Sequence, residues 1–319
     1  MGPGQSIEQD SGHRPEGPRP DAAADATLAA LDAEPCTIAR PSRQRVPFIF
    51  ASPHSGRLYP PSFVARSRLG AMALRRSEDA FVDDLITMAA VELGAPVIAA
   101  RFPRAFLDVN RAPSELDAQM FDGALAMPVD APSARVQAGL GVIPRVVRDG
   151  ADIYRDKLDA REAGERLSKL YRPYHAALLD LVEETRAGFG AAVVVDCHSM
   201  PSAAAAPDIV LGDRYGIAAA PALIHHAQQA FELRAFTVAR NVPYAGGYTT
   251  QLYGRPAHGV HGLQIEINRA LYLDEERIVP GPRFMDVRLR IGEALGQLVA
   301  MPIAALAAAG ARTLPWAAE

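Results

Sequence analysis

The segment AAVVVDCHSMP, residues 191–201, is an apolar run that leads into a polar stretch carrying His198. The segment PFIFASPHSG, residues 47–56, follows the same pattern and carries His54. Both runs are short, rich in Val, Ile and Phe, and stopped by turn residues, which is typical of buried strands. In an open α/β sheet, ligands and reacting groups collect at the carboxyl ends of such strands. Two histidines at those ends, with acidic residues close by in the sequence, predict a metal site.

Strand and helix patterns alternate along the chain from about residue 46 onward, which predicts an α/β fold. Neither a linker nor an internal repeat interrupts the alternation, so residues 43–319 are predicted to form a single domain. Residues 1–42 are rich in Gly, Pro, Asp and Ala, and a disordered tail with one short helix is predicted there. Further strands are predicted at 96–102, 105–110, 236–239 and 262–268, and helices at 77–93, 159–186 with a break at Pro173, 217–233 and 284–309.

The composition is that of a globular protein with a sizeable core, since 49% of the 319 residues are apolar and 22% are charged. The formal net charge of −4 gives no reason to expect nucleic acid or an anionic membrane as a partner. An anionic substrate stays open, because a local arginine cluster can oppose the overall sign. No apolar run reaches the about 18 residues of a membrane helix, and no signal pattern opens the chain, so a cytoplasmic protein is expected.

The two cysteines, Cys36 and Cys197, predict no structural disulfide. Cys197 is next to His198 in the sequence, and neighbouring side chains of a strand point to opposite faces. Cys197 is therefore expected to be a small buried residue rather than a nucleophile or a ligand in the site of His198.

His54 and His198 are the metal ligands that the pattern favours. A hydrolytic zinc site commonly uses three ligands drawn from His, Asp and Glu and leaves the fourth position to water. The adjacent acids Glu78 and Asp79, expected in the first turn of the helix that begins at Ser77, offer the third ligand. One of the two is expected to be a partner of the helix dipole instead. For each histidine the alternative is a local hydrogen bond at a strand end.

Four further positions have side chains suited to hydrolytic chemistry. Glu266 lies inside the apolar run LQIEI, where an unpaired carboxylate is costly, and it is predicted to be a general base. The alternative for Glu266 is an ion pair with Arg269. Asn110 and Arg111 follow a predicted strand and suit a carboxylate or an oxyanion. His258 flanks a glycine-rich approach to the strand of Glu266 and is a candidate substrate contact.

Five motifs occur in a fixed order along the chain: SPHSG at 52–56, SEDAFVD at 77–83, FLDVNR at 106–111, DCHSM at 196–200, and GYT at 247–249 with QIEIN at 264–268. In these motifs and in their order the chain resembles the N-formylglutamate amidohydrolase family, over roughly residues 45–305. Five ordered motifs are far more specific than any one of them alone.

The resemblance implies a zinc-carboxypeptidase-like α/β fold in three layers, with a mostly parallel or mixed central sheet flanked by helices. It implies Zn²⁺, or another divalent metal, held by His54, His198 and an acid of the Glu78–Asp79 pair. The best-known members carry Asp-Thr-Asp-Trp where this chain has SEDA at 77–80. Asp79 keeps the second acid of that motif and is favoured over Glu78.

The implied activity is hydrolysis of N-formyl-L-glutamate to L-glutamate and formate, in histidine catabolism. By the same resemblance Glu266 would activate the water, and Arg111 with Asn110 would hold the substrate or polarise its carbonyl. The partner would be a small anionic N-acyl amino acid, and the protein a monomer or small homo-oligomer. Candidates to bind the substrate carboxylates are Arg145, Arg148, Arg240 and Arg269. Two alternatives remain: a deacylase or small peptidase for another N-acyl amino acid, and a non-catalytic protein that binds a metal or a small molecule.

Overall fold

The computed structural model describes residues 25–147, 150–203 and 206–306, and at its centre lies a seven-stranded mixed sheet. The strands are β1 Cys36–Ala39, β2 Phe48–Ser52, β3 Val97–Ala100, β4 Phe121–Asp122, β5 Leu158–Asp159, β6 Ala192–Met200, β7 Ile209–Gly212, β8 Val238–Arg240, β9 Val260–Asn268, β10 Leu273–Asp274 and β11 Val279–Pro280. The α-helices are α1 Ala26–Ala33, α2 Pro61–Arg66, α3 Ala71–Arg75, α4 Val82–Leu93, α5 Ala134–Gln137, α6 Ala160–Arg166, α7 Arg172–Phe189, α8 Pro221–Glu232, α9 Tyr248–Tyr253 and α10 Phe284–Val299.

The strand order in the central sheet is β1-β3-β2-β6-β9-β7-β8. Strands β3, β2, β6 and β9 are parallel, β1 is antiparallel to β3 at one edge, and β7 is antiparallel to β9 near the other. The chain runs from β2 outward to β3 and later places β6 on the other side of β2. The point at which ligands bind in such sheets therefore lies between the carboxyl ends of β2 and β6. A mixed sheet flanked by helices confirms the predicted fold.

Successive side chains of the central strands point to opposite faces, and each face packs against a different set of helices. Phe48 and Phe50 of β2 belong to a core that includes residues of α4, α8 and α10. Ile49 and Ala51 belong to a second core, which includes residues of α6 and α7. Burying a phenylalanine or isoleucine side chain contributes about 2 kcal/mol to stability. Cys197 lies in the first core, on the face opposite to that of the neighbouring histidine, as predicted.

The strand predicted at residues 105–110 is wrong, because this segment forms turns. The amides of Phe106 and Leu107 both donate to the carbonyl of Pro103, and both side chains are buried in the second core. An apolar run can enter a core from a turn as well as from a strand, so periodicity over so few residues does not separate the two.

The helix predicted from Ser77 is observed as α4, which begins only at Val82. Phe81, with φ of 62°, lies in the left-handed region and separates the helix from the acids at 78 and 79. The N-terminal amide of Asp83 donates to the hydroxyl of Ser55, a residue 28 positions earlier. The cap is therefore supplied by the turn after β2 rather than by Ser77, and a local capping pattern could not reveal that.

The predicted tail of residues 1–42 contains ordered structure from residue 25 onward. Helix α1 is the predicted short helix, and its Leu31 is fully buried. Strand β1 pairs antiparallel with β3 and was missed because it is a four-residue edge strand, with two of its side chains exposed and two half-buried. Residues 1–24 lie outside the described residues, and a single domain over 43–319 stays a prediction. Within the described ranges, no helix combines the length and the apolar content needed to cross a bilayer.

The long helix predicted over residues 159–186 is observed as α6 and α7, joined by a π-helical turn at Leu167–Tyr171. Asp159 caps its start by accepting from the amide of Arg161. Pro173 is the second residue of α7, next to the π-turn, where the wider backbone spacing accommodates a residue that lacks an N–H. The predicted break is confirmed, and the helix continues to Phe189.

His175 on α7 joins this helix to the turn that precedes Asn110. Its Nε2 atom lies 2.9 Å from the carbonyl oxygen of Val109, and its Nδ1 atom lies 3.0 Å from the hydroxyl of Tyr253. Burial lowers the pKa of His175 to about 4. Because the folded-state pKa is lowered, the unfolded chain takes up a proton first as the pH falls below about 6.5. Stability is therefore lost as the pH falls.

We expect this one group to reduce the free energy of unfolding by about 2 kcal/mol between pH 7 and pH 5. Urea titrations over that pH range should therefore show a shallower loss of stability for His175→Gln than for the wild type. The exposed His225 on α8, replaced by Asn, is the control and should keep the wild-type slope. Equal slopes for the wild type and His175→Gln would contradict the expectation.

Candidate metal and hydrolytic site

Three acceptor atoms from three separate segments converge beyond β2 and on β6. The Nδ1 atom of His54 lies 3.1 Å from Oδ2 of Asp79, and the Nδ1 atom of His198 lies 2.9 Å from the same oxygen. The two Nδ1 atoms are 3.1 Å apart, and all three side chains are buried. The structure thus brings together both predicted histidines and one of the two predicted acids.

The outer nitrogens of both histidines contact carboxylates. Nε2 of His54 lies 2.7 Å from Oδ1 of Asp108, and Nε2 of His198 lies 2.8 Å from Oδ2 of Asp196. A carboxylate at Nε2 favours the tautomer with its N–H there, so each Nδ1 presents a lone pair towards Asp79. Three acceptors that face one another repel unless a proton or a cation lies between them. Ligands at tetrahedral zinc distances are about 3.3 Å apart, so this donor set fits a divalent cation.

Backbone contacts hold Asp79 against His54. The amide of Asp79 donates to the carbonyl of His54 at 3.0 Å, and the hydroxyl of Ser55 donates to the carbonyl of Asp79 at 2.9 Å. No side chain fits at the following Gly56, where a Cβ atom would lie 2.0 Å from the carbonyl oxygen of Phe102. Gly56 therefore lets the chain that follows His54 pass directly against the backbone of Phe102.

The charges around the cluster keep its acids ionised. Burial alone would raise the pKa of Asp79, but hydrogen bonds with the two histidines hold that pKa well below its usual range. Burial also opposes ionisation of Asp108, yet Arg104 above all keeps the pKa of Asp108 well below its usual range. Burial would lower the pKa of His198, but Asp196 raises it well above the ordinary value. A positive charge, either a proton or a metal cation, is therefore favoured between the two histidine Nδ1 atoms and Oδ2 of Asp79.

Glu266 on β9 lies beside His198 on β6, because the parallel register pairs these two positions. Asp196 and Gln264 form the pair two residues earlier and share the same face. Glu266 is only 8% exposed, and its Oε1 atom accepts a hydrogen bond from Nε2 of Gln264 at 2.9 Å. Burial raises the pKa of Glu266 to about 7, with His198 opposing and Asp79 adding to the shift. A carboxyl group of this kind can take up and release a proton near neutral pH.

The side chain of Asn110 supports the cluster. Its Nδ2 atom donates to Oδ2 of Asp196 at 3.1 Å and lies 3.0 Å from Nε2 of His198, while its Oδ1 atom accepts from the amide of Thr249 at 2.8 Å. Both polar atoms of the Asn110 side-chain amide thus have partners within the protein, although Asn110 also lines the cavity described below. The neighbouring Arg111 donates to the carbonyl of Leu140 at 3.1 Å and also lines that cavity.

Gly247 packs directly on this asparagine, and a Cβ atom at Gly247 would lie 2.4 Å from Nδ2 of Asn110. We expect Gly247→Ala to displace the Asn110 amide and with it the ring of His198, lowering kcat/KM by about 10²-fold. Gly188→Ala is the matched control, since a Cβ atom there meets nothing within 4 Å. If Gly247→Ala kept the wild-type kcat/KM for hydrolysis in a steady-state assay, Asn110 would not be the residue that positions the site.

The cluster, Glu266 and Arg111 all line one cavity of about 600 Å³. Arginines outnumber carboxylates in its described lining, five to three, which favours a small anionic ligand. The arginines are Arg104, Arg111, Arg135, Arg214 and Arg269, and the carboxylates are Asp79, Asp108 and Glu266.

Glu78 is not part of the cluster. Its carboxylate accepts from the hydroxyl of Tyr59 at 2.8 Å and from Nε of Arg75 at 3.0 Å. Asp79 is therefore the acid that faces the two histidines, and the open choice between the two neighbouring acids is decided by which of them already has partners.

His258 does not meet the site. It lies in a short 3₁₀ turn, Pro256–His258, just before the start of β9. Glu266 lies eight residues further along, near the other end of that strand, a distance of roughly 26 Å at 3.3 Å per residue. The structure does not bring His258 to the cluster, because closeness in sequence along an extended strand does not bring two side chains together, and a substrate contact of His258 stays a prediction.

Arg269 lines the cavity, but its guanidinium is used within the protein. It donates to Oδ1 of Asp79 at 3.0 Å and to Oγ of Ser199 at 2.9 Å, and it does not pair with Glu266 in the described structure. Arg145 pairs with Asp152 outside the cavity lining. The other two candidates for the substrate carboxylates are Arg240, which is exposed on β8 away from the cavity, and Arg148, which lies outside the described residues.

Sequence reasoning did not single out the residues that hold the cluster in place. Asp196 carried a usable signal, because it lies two residues before His198 on the same strand and so shares its face. The long-range contacts of Asp108 and Gln264 carried none, since Asp108 meets His54 from 54 residues away and Gln264 meets Gly247 from 17 residues away. Arg104 and Arg214 come from loops and Arg135 from the short helix α5, and the fold alone brings these three together.

The fold and the site together define an α/β protein with a buried two-histidine, one-aspartate centre beside a carboxylate. The sequence model of the family N-formylglutamate amidohydrolase matches residues 46–273 of this chain. The chain therefore belongs to the N-formylglutamate amidohydrolase family.

Individual relatives agree with this assignment. The N-formylglutamate deformylase of Pseudomonas aeruginosa is 29% identical over 243 residues, which cover 73% of this chain and 85% of that protein. The N-formylglutamate deformylase of Pseudomonas putida is 28% identical over 242 residues, which cover 72% and 83%. The crystal structure of N-formylglutamate amidohydrolase from Ralstonia eutropha JMP134 matches with a TM-score of 0.76 and 35% identity, over 83% of this chain and 96% of that one. Gene product Atu2144 from Agrobacterium tumefaciens shares the fold, with a TM-score of 0.58 at 21% identity over 85% of this chain and 96% of that one.

Proposed function

We propose that this protein is a zinc-dependent amidohydrolase that converts N-formyl-L-glutamate and water to L-glutamate and formate. The observation that carries the proposal is the position of Glu266, whose strand register sets it beside His198 of the three-acceptor cluster in one cavity. A buried carboxyl group with a pKa of about 7 next to a cation site suits a base that activates water. The names of the relatives in both Pseudomonas species support the same substrate.

The charge of the cavity supports a substrate with two carboxylates. Five arginines face three carboxylates in the described lining, and a bound divalent cation would add further positive charge. N-formylglutamate carries one carboxylate on its α carbon and one on its side chain. Both can form paired hydrogen bonds with guanidinium groups, which match carboxylate geometry.

The proposed roles follow from the contacts of each side chain. His54, Asp79 and His198 would hold the metal, which when bound would polarise the formyl carbonyl and make water more acidic. Glu266 removes a proton from the attacking water as the new carbon–oxygen bond forms. Arg111, at the cavity wall, stabilises the negative charge that develops on the former carbonyl oxygen.

The second half of the reaction breaks the amide bond. Glu266 returns its proton to the amide nitrogen as the carbon–nitrogen bond breaks, so glutamate leaves with a neutral amine and the formyl carbon leaves as formic acid. The acid then gives its proton to the amine or to solvent and becomes formate. Asn110 acts indirectly, by holding Asp196, the carboxylate partner of His198, in place. Arg269 likewise acts indirectly through Asp79.

Release of formate and glutamate from N-formyl-L-glutamate by the purified, zinc-loaded protein tests the proposal. We expect turnover that is lost on chelation and restored by zinc, with lower rates on N-acetyl-L-glutamate and on dipeptides. Faster hydrolysis of another N-acyl amino acid or of a dipeptide would replace the proposed substrate with a deacylase or peptidase activity. No turnover of any member of this panel by protein that binds zinc would indicate a binding protein. A cytoplasmic location and a step in histidine catabolism are further parts of this proposal.

A further inference from the structure

One arginine of the cavity is presented by an unusual backbone. Arg214 and the following Tyr215 have φ values of 54° and 58°, so two consecutive side-chain-bearing residues lie in the left-handed region. This conformation is disfavoured for residues other than glycine, asparagine and aspartate, and persists only where the surroundings impose it. Both residues line the cavity, and Arg214 is part-buried whereas Tyr215 is exposed.

Asn241 is the residue that imposes this conformation. Its Oδ1 atom accepts from the amides of Asp213 and Tyr215 at 3.1 and 3.3 Å, and its Nδ2 atom donates to Oδ1 of Asp213 at 2.8 Å. The amide of Arg214 donates to the carbonyl of Ala245 at 2.7 Å, which ties the loop to the segment between β8 and α9. The loop at 213–216 is therefore fixed from two sides before any ligand arrives.

The stem of Arg214 packs against Gly246, another residue of the cavity lining. Its Cγ atom lies against Gly246, where an added Cβ atom would be 3.2 Å away. The next residue, Gly247, packs on Asn110 and donates to Gln264 at 2.7 Å, and Gln264 in turn contacts Glu266. Arg214 is thus separated from the reacting groups by one short loop.

The guanidinium of Arg214 differs from those of three other cavity arginines. Arg104 pairs with Asp108, Arg269 pairs with Asp79, and Arg111 donates to backbone carbonyls. Across the described residues, Arg214 forms no side-chain hydrogen bond or ion pair, so its charge stays available to a ligand. Arg135 shares that property, but it is exposed on the four-residue helix α5 and lacks a comparable anchor.

We propose that Arg214 binds the side-chain carboxylate of the substrate and so determines the preference for an acidic side chain, with Asn241 as the positioning residue that holds it. This inference rests on the proposed function. N-formyl-L-glutamine is the matched probe, because it has the size of N-formyl-L-glutamate without the side-chain charge.

The test compares kcat/KM for these two substrates in the wild type, Arg214→Asn and Asn241→Gly. Asparagine and glycine tolerate positive φ, so each substituted residue can keep its own backbone conformation. Arg214→Asn removes the guanidinium, and Asn241→Gly removes the side chain that fixes the loop at 213–216. We expect both variants to lose about 10²-fold on N-formyl-L-glutamate, mainly through KM, and less than about threefold on N-formyl-L-glutamine. An equal loss on both substrates, or an unchanged preference, would overturn the proposal. So would a loss of preference in Arg135→Gln but not in Arg214→Asn.

Calorimetric binding of the free amino acids to the zinc-loaded protein separates failure of the inference from failure of the proposed function. The wild type should bind L-glutamate more tightly than L-glutamine, and Arg214→Asn should bind the two alike. If the wild type hydrolyses neither formyl substrate, the proposed function fails while this binding comparison still decides on Arg214. If the wild type is active and Arg214→Asn still prefers L-glutamate, the inference alone fails. Arg240→Gln, an exposed arginine outside the cavity, is the control and should behave as wild type.

Discussion

Replacing Glu266 by Gln is expected to lower kcat by about 10³-fold while leaving zinc content and thermal stability close to those of the wild type. The glutamine amide cannot accept a proton from the attacking water, and general-base catalysis contributes about 10²- to 10⁴-fold. Its oxygen can still accept the hydrogen bond that Gln264 donates to Glu266. The variant therefore removes the proton transfer and keeps the surrounding contacts.

The assay is formate release under saturating N-formyl-L-glutamate, with zinc measured on the same protein sample. Glu232→Gln is the matched control, because Glu232 is exposed on α8 and its partner is the surface residue Gln228. Turnover within tenfold of the wild type in Glu266→Gln would exclude Glu266 as the base. Loss of zinc from the variant would instead give the carboxylate a role in metal binding.

Replacing His198 by Ala is expected to abolish stoichiometric zinc binding and, with it, activity. The substitution removes one of three converging ligand atoms and leaves Asp196 buried without its histidine partner. Loss of an outer partner alone typically costs 10- to 100-fold in metal affinity, so loss of a ligand should exceed about 100-fold. Zinc should then no longer stabilise the folded state, because that stabilisation depends on the ratio of free ligand to Kd.

The measurement is the shift in melting temperature between chelated and zinc-loaded protein, together with the zinc content per chain. The wild type should show a clear upward shift and His198→Ala none. His225→Ala serves as the control, since His225 is an exposed histidine of α8. A wild-type zinc shift in His198→Ala would place the metal elsewhere and would remove the basis for the proposed mechanism.

The features of the site that neighbouring residues in the sequence determine could be predicted, whereas those that distant residues determine could not. The strands before His54 and His198 were recognised because a buried parallel strand is a short apolar run, and the two histidines follow from the ends of those runs. The opposite orientation of Cys197 followed from strand alternation alone. The start of α4 and the turn at 105–110 were mispredicted because a hydroxyl from Ser55 and packing in the second core decide them.

The sequence by itself determined the α/β class, the two histidines at strand ends and the presence of a carboxylate inside an apolar strand. These features depend on the spacing of apolar side chains and on residue chemistry, both of which can be read directly from the sequence. Only the tertiary structure decided that Asp79 rather than Glu78 faces the histidines, since Arg75 and Tyr59 occupy the latter. It also decided which arginines surround the cavity and which of them keep their charge free. Those outcomes depend on strand order and loop packing, which bring together residues more than 100 positions apart.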